Sequence, residues 1–176
     1  MKVTLLGYTQ PILAEPELVM DHNTATFLVE GVSRAATHQI VRHRLASISQ
    51  ESQRYVSLDK GGWGYVVPPK VQNDPQARTI LERAWSDLTA AYDSLRQLGV
   101  RKEDARFLLP NAAETRLVIS MTFRGWEHFC WLRCDRAAQW EVRAVAYDIL
   151  RHLYDLAPQA FQPLYDAFLA DPTDAA

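Results

Sequence analysis

Between Arg34 and Tyr55 the chain gathers four arginines, Arg34, Arg42, Arg44 and Arg54, and two histidines, His38 and His43, against a single acid, Glu51. Guanidinium groups are planar, permanently charged and forked, which matches them to phosphate and carboxylate oxygens. Ser47, Ser49, Gln50 and Ser52 follow the arginines and offer hydroxyl and amide groups to the oxygens that a guanidinium leaves unfilled. The spacing predicts a helix opened by Ser33 as its cap and running through Ala35, Ala36, Ile40 and Val41 towards Ala46. On such a helix Gln39 precedes Arg42 and His43 by three and four positions, so these polar groups share neighbouring faces. An isolated Arg-His-Arg is more often a charged helix end in water. Followed by hydroxyls, amides and a fourth guanidinium, it reads as a local anion site.

In the longer string RHRLASISQESQRY, residues 42–55, seven residues separate Arg42-His43-Arg44 from Ser52, and the string closes on Arg54-Tyr55. It resembles the signature of the flavin-dependent thymidylate synthases. DARFLLP (104–110) and LRCDRAAQWEVR (132–143) resemble two later blocks of the same family, in the same order and at similar spacing. The resemblance runs from about Asp21 to the closing helices. It implies an α+β, thymidylate synthase-complementing fold with a mixed or antiparallel sheet packed with helices, and the reductive methylation of dUMP to dTMP. In that reaction methylenetetrahydrofolate donates the one-carbon unit, FAD carries it and NADPH supplies reducing equivalents.

Carried over position by position, the resemblance assigns Gln39, Arg42, Gln50, Glu51, Ser52, Gln53, Arg54, Arg106 and Arg133 to dUMP. It assigns Arg42, His43, Arg44, Gln50, Thr122, Phe123, Arg124 and His128 to FAD. Arg133 matches the arginine that acts on the uracil ring and is the expected catalytic residue. The family pattern also implies a homotetramer in which the loop at residues 50–54 serves a neighbouring subunit's pocket. Two alternatives stand beside this reading: a diverged flavin enzyme acting on another pyrimidine nucleotide, and a catalytically silent nucleotide-binding oligomer. Members of the family commonly carry a longer N-terminal region with a Gly-His-x-Ser stretch before a Glu-His pair. Here Asp21-His22 stands for the pair, and the preceding AEPELVM lacks the rest. Thr122 stands where Asn is frequent, and Gln50 where some members carry Glu.

The elements that must position these residues follow from periodicity. Thr24 to Glu30 alternates Ala25, Phe27 and Val29 against Thr24, Thr26 and Glu30, with Leu28 alone breaking the polar side, and Arg116 to Phe123 alternates similarly, so both read as strands, as does the short run Val3 to Leu6. Gln10 to Glu17, with two prolines, reads as a loop, and so does Lys60-Gly61-Gly62-Trp63-Gly64 with Pro68 and Pro69. Apolar residues at helical spacing predict a helix over Gln76 to Leu98 stopped by Gly99, and a short one over Lys102 to Leu108. Two closing helices are expected over Gly125 to Cys134 and Ala137 to Leu156.

A chain of 176 residues, 48% hydrophobic, suits one domain, residues 1–176. Its net charge of −2 gives no general attraction to nucleic acid or anionic membrane. The apolar start is interrupted too early for a secretory signal, and no apolar run is long enough to span a bilayer, so a cytoplasmic protein is expected. Cys130 and Cys134 lie in a Trp-, Phe- and Leu-rich segment, where a buried thiol is the ordinary case; neither a disulfide, a metal site nor a nucleophile is expected of them. Trp126, Trp131 and Trp140 read as core or interface residues rather than stacking platforms.

Overall fold

The structure, a computed structural model, describes residues 1–10, 15–56 and 64–170. In chain order its elements are β1 (Lys2–Tyr8), α1 (Pro16–His22), β2 (Thr24–Ser33), α2 (Arg34–Ile40), β3 (Ser47–Gln50), α3 (Pro69–Gln72), α4 (Pro75–Gln97), α5 (Lys102–Ala105) with a 3-10 turn (Arg106–Leu108), β4 (Glu114–Thr122), α6 (Phe123–Arg133), α7 (Trp140–Leu156) and α8 (Pro158–Phe168). This is the expected α+β class. Contacts divide the chain into two compact units: 1–32, 36–49 and the residues from 116 onward form the first, and 33–35 with 50–115 the second.

The first unit is built on a four-stranded sheet ordered β1-β2-β4-β3, with β1 antiparallel to β2 from Lys2 opposite Glu30 to Tyr8 opposite Ala25. The period of two seen in the sequence is the cause of its packing. Ala25, Phe27 and Val29 of β2, and Leu117, Ile119 and Met121 of β4, turn inward and are buried. Against them lie Trp126, Phe129 and Cys130 of α6 and a stripe on α7, Val142, Val145, Ala146, Ile149, Leu150 and Leu153, at the three- and four-residue spacing that places side chains on one helical face. Gln139 caps α7, its side-chain oxygen accepting from the amides of Glu141 and Val142.

The second unit centres on α4. Asp74 caps it by accepting from the amides of Gln76 and Ala77, and Gly99 ends it at φ +84°, a conformation that glycine adopts without steric cost.

Four expectations need correction. The predicted Gln10–Glu17 loop gives way from Pro16 to α1, where proline occupies the first turn and costs no hydrogen bond. Helix α2 stops at Ile40 rather than near Ala46, and residues 47–50, for which no strand was expected, form the edge strand β3. A third closing helix, α8, was hidden by Pro158 and Pro163; Phe161 and Leu164 bury fully into the core and offset the backbone bond that Pro163 removes. Of the glycine-rich stretch, Lys60 to Trp63 lie outside the described residues, while Pro69 opens α3. Among the described residues no helix is long and apolar enough to cross a membrane.

Candidate functional site

The Arg-His-Arg segment sits on a tight double turn, not on a helical face. Beyond the helical bond from the amide of Val41 to the carbonyl of Thr37, Arg42 N–H donates to Gln39, His43 N–H to Ile40 and Ala46 N–H to His43, each three residues back. This tightening exposes Arg42 and Arg44 and buries His43 between them.

Facing the turn is α6. Thr122 caps it, its hydroxyl accepting from Gly125 N at 3.1 Å, and the indole N–H of Trp126 donates to the carbonyl of Ala25 at 3.0 Å. Gly125, His128 and Leu132 recur at three- and four-residue intervals and so share one face, with Arg133 in the last turn. Together with Met121 from β4 and the segment Arg42 to Leu45, they line a cavity of about 290 Å³ within the first unit. Helix α6 approaches Met121 closely, since a Cβ at position 125 would lie 3.1 Å from the Cβ of Met121.

At one wall the Arg133 Nε–H donates to His43 Nε2 at 3.0 Å, and its Nη2 donates to the main-chain oxygen of Gln39 at 3.2 Å. The His43 ring packs on Phe129 at 4.8 Å between centroids and lies 6.1 Å from His128. Burial, followed by the charges of Arg133 and His128, holds His43 down to about 4 from its ordinary 6.5, so it is neutral at physiological pH. Burial and the neighbouring Arg42 also draw Arg133 below the usual guanidinium value. A histidine depressed in this way binds its proton first in the unfolded chain. Native stability is therefore undiminished by His43 above about pH 6.5 and falls as pH is lowered from there towards 4. His43→Gln, which does not titrate, is expected to flatten the pH dependence of the urea midpoint across that window; parallel slopes for the two proteins would contradict the buried neutral imidazole.

The second unit holds the other arginine group. Arg34 Nη2 donates to the carbonyl of Glu51 at 2.8 Å, and Ser52 Oγ accepts from the amide of Arg54 at 3.3 Å. Glu103 is the hub. One carboxylate oxygen meets Arg54 and the other Arg101, each at 3.2 Å, while its carbonyl accepts from Arg106 Nε at 3.1 Å. Arg54, Tyr55, Arg96, Arg101, Lys102 and Glu103 line a concavity of about 350 Å³.

The first unit thus brings together Gln39, Arg42, His43, Arg44, His128 and Arg133, and the second brings Glu51, Ser52, Arg54 and Arg106 together around Arg34 and Glu103. Gln50 closes β3, and Gln53 is half-buried beside Ser52. Thr122 is engaged as a helix cap, and Phe123 is wholly buried against Phe161, 5.3 Å away. Arg124 does not line the cavity. Its guanidinium is clasped by Asp21 at 2.9 Å, Glu127 at 3.3 Å and Glu17, and the bonds to Asp21 and Glu17 raise its pKa further. The apolar lining, Leu45, Met121, Gly125 and Leu132, went unread in the sequence, although the 125-128-132 spacing around His128 carried the signal.

Cys130 and Cys134 are buried free thiols, and burial with the neighbouring Cys134 pushes the Cys130 thiol well up, so it stays protonated. Trp126 is core, as expected, whereas Trp131 is half-exposed and packs on Phe168. Among the described residues no group of three or more His, Cys, Asp or Glu is placed to hold a metal ion.

Fold and site together define an α+β protein whose first unit holds a cationic, partly apolar cavity. A family model described as thymidylate synthase complementing protein matches residues 11–159, and the chain belongs to that family. Among curated relatives, a flavin-dependent thymidylate synthase of Geobacter sulfurreducens is 46% identical over 154 residues, covering 88% of this chain and 66% of the relative. Relatives of the same name from Nitratidesulfovibrio vulgaris and Pyrococcus furiosus are 42% and 39% identical, covering 88% and 85% of this chain and 62% and 59% of their own lengths. The chain therefore spans somewhat less than two thirds of these relatives.

Proposed function

We propose that this protein methylates dUMP to dTMP, with methylenetetrahydrofolate as one-carbon donor and NADPH as reductant. The observation that carries the reading is the cavity of the first unit, where Arg42, His43, Arg44 and Arg133, drawn from segments 90 residues apart, face one space. Membership of the family and the shared name of its relatives support the same reaction. FAD suits the donor set. Exposed Arg42 and Arg44 fit anionic oxygens, and the apolar wall of Leu45, Met121, Gly125 and Leu132 fits the face of a ring. When bound, the flavin supplies the carrier for the one-carbon unit and the redox chemistry.

The chain's own residues bind and orient. Arg133 stabilises negative charge on the N3 and carbonyl edge of uracil, favouring loss of the N3 proton and so activating the ring. Arg54 and Arg106, with Ser52, are assigned to the nucleotide, joined by Gln39, Gln50, Glu51 and Gln53. His128 belongs with the flavin group; Thr122, Phe123 and Arg124 would act there through the start of α6. The active form is assigned as a cytoplasmic homotetramer with sites completed between subunits, and the chain as one functional domain.

The test is dTMP formation from dUMP, methylenetetrahydrofolate and NADPH by FAD-loaded protein. Yellow protein that binds dUMP yet forms no dTMP selects a diverged enzyme, and colourless protein that binds dUMP but takes up no FAD selects the silent oligomer. Because both thiols are buried and burial pushes that of Cys130 well up, Cys130→Ala with Cys134→Ala is expected to leave turnover within about threefold of wild type; loss of activity in folded, flavin-loaded protein would establish a cysteine nucleophile.

A further inference from the structure

An arginine that works on a ligand is usually aimed by a carboxylate, which also cancels much of its charge. Among the described residues the cavity around Arg133 is lined by no carboxylate. Arg42, His43 and Arg44 face it from the turn and His128 and Arg133 from α6, while Leu45, Met121, Gly125 and Leu132 complete the lining. What aims Arg133 are two uncharged acceptors, the imidazole Nε2 of His43 at 3.0 Å and the carbonyl of Gln39 at 3.2 Å. An imidazole nitrogen that accepts from a guanidinium carries no proton, so the proton of neutral His43 resides on Nδ1. The ring is itself fixed, 9% exposed and packed on Phe129.

The geometry points to a positioning role for His43: we propose that, as a neutral Nδ1-protonated imidazole, it aims the Arg133 guanidinium into the cavity while leaving its positive charge uncompensated for a ring edge that becomes anionic. This rests on the reading of Arg133 as the residue that meets the uracil edge. Two of the five guanidinium N–H donors are spent on His43 and Gln39, and the rest remain for ligand. A carboxylate at the position of His43 would hold Arg133 as firmly but neutralise it. A protonated imidazole would present a donor to a donor among Arg42, Arg44, His128 and Arg133, and would release it.

The test uses FAD-loaded full-length protein carrying ¹⁵N-labelled histidine. The His43 resonances are expected to show Nε2 unprotonated and Nδ1 protonated, a pattern that shifts towards the Nε2-protonated form in Arg133→Ala. In dTMP formation, His43→Phe keeps a ring against Phe129 but offers no acceptor. It should lower kcat by roughly 10- to 100-fold, the scale of losing a residue that orients a reacting group, with a smaller change in KM for dUMP. His43→Gln, whose amide oxygen reaches the place of Nε2, should recover most of the loss. In FAD-saturated Arg133→Ala protein His43→Phe should lower kcat far less than it does in the wild type. A proton found on Nε2, or an equal loss in both backgrounds, would overturn the proposal. Wild-type protein that forms no dTMP would refute the proposed reaction instead, and the imidazole pattern with its response to Arg133→Ala would still decide the pairing.

Discussion

Arg133→Ala is expected to lower kcat/KM for dTMP formation by roughly 100- to 1,000-fold, the range for removing one pre-organised donor from a developing anion. The residue is fixed before any ligand arrives, because Nε is held by His43 and Nη2 by the carbonyl of Gln39. No reorganisation is then required as charge accumulates on the uracil edge. Arg133→Lys should recover little: an ammonium on a flexible stem cannot meet His43, Gln39 and a planar ring edge together. The structural cost should be small. Arg133 lies in the last turn of α6 and is part-exposed, so the variants are expected to keep the wild-type unfolding free energy within about 1 kcal/mol. Steady-state rates with saturating dUMP separate a loss in kcat from a loss in binding, and an Arg133→Ala enzyme retaining more than a tenth of wild-type kcat would remove Arg133 from the chemistry.

How far this site was legible depends on the distance over which each contact is made. The signature at residues 42–55 could be read because its residue types are local and chemically specific, and the strands at 24–30 and 116–123 because alternation survives in any half-buried strand. The end of α2 could not. The carbonyl of Gln39 that would continue the helix accepts instead from Arg42 N–H and from Arg133, a residue 94 positions later. The ion pairs of Arg124 are similar: they are made with carboxylates 103 and 107 positions earlier, a separation that no local pattern reports. Helix α8 shows the opposite case, in which a local signal misleads, since Pro163 argues against a helix that burial of Phe161 and Leu164 nevertheless maintains.

Trp126→Ala should be the most destabilising single substitution on this site's scaffold, lowering unfolding free energy by about 3–5 kcal/mol. The indole is fully buried, edge-on to Phe27 at 5.1 Å and to Phe129 at 5.5 Å, so its removal opens a cavity where β2 meets α6. It also strands the Ala25 carbonyl to which the indole N–H donates. Trp126→Phe separates the two losses, because it keeps an aromatic filling but no donor; it should cost about 1–3 kcal/mol, the penalty for leaving a buried carbonyl unpaired together with the missing ring volume. The consequence for function follows from the register of α6. Trp126 lies next to Gly125 and two residues before His128, and its ring partner Phe129 packs on the imidazole of His43, so the indole fixes the rotation of the helix that carries Arg133. Urea unfolding gives the stability difference, and the His43 imidazole resonances report whether the Arg133 contact persists in folded Trp126→Phe. An unchanged midpoint in Trp126→Ala would mean that α6 is seated by some other contact.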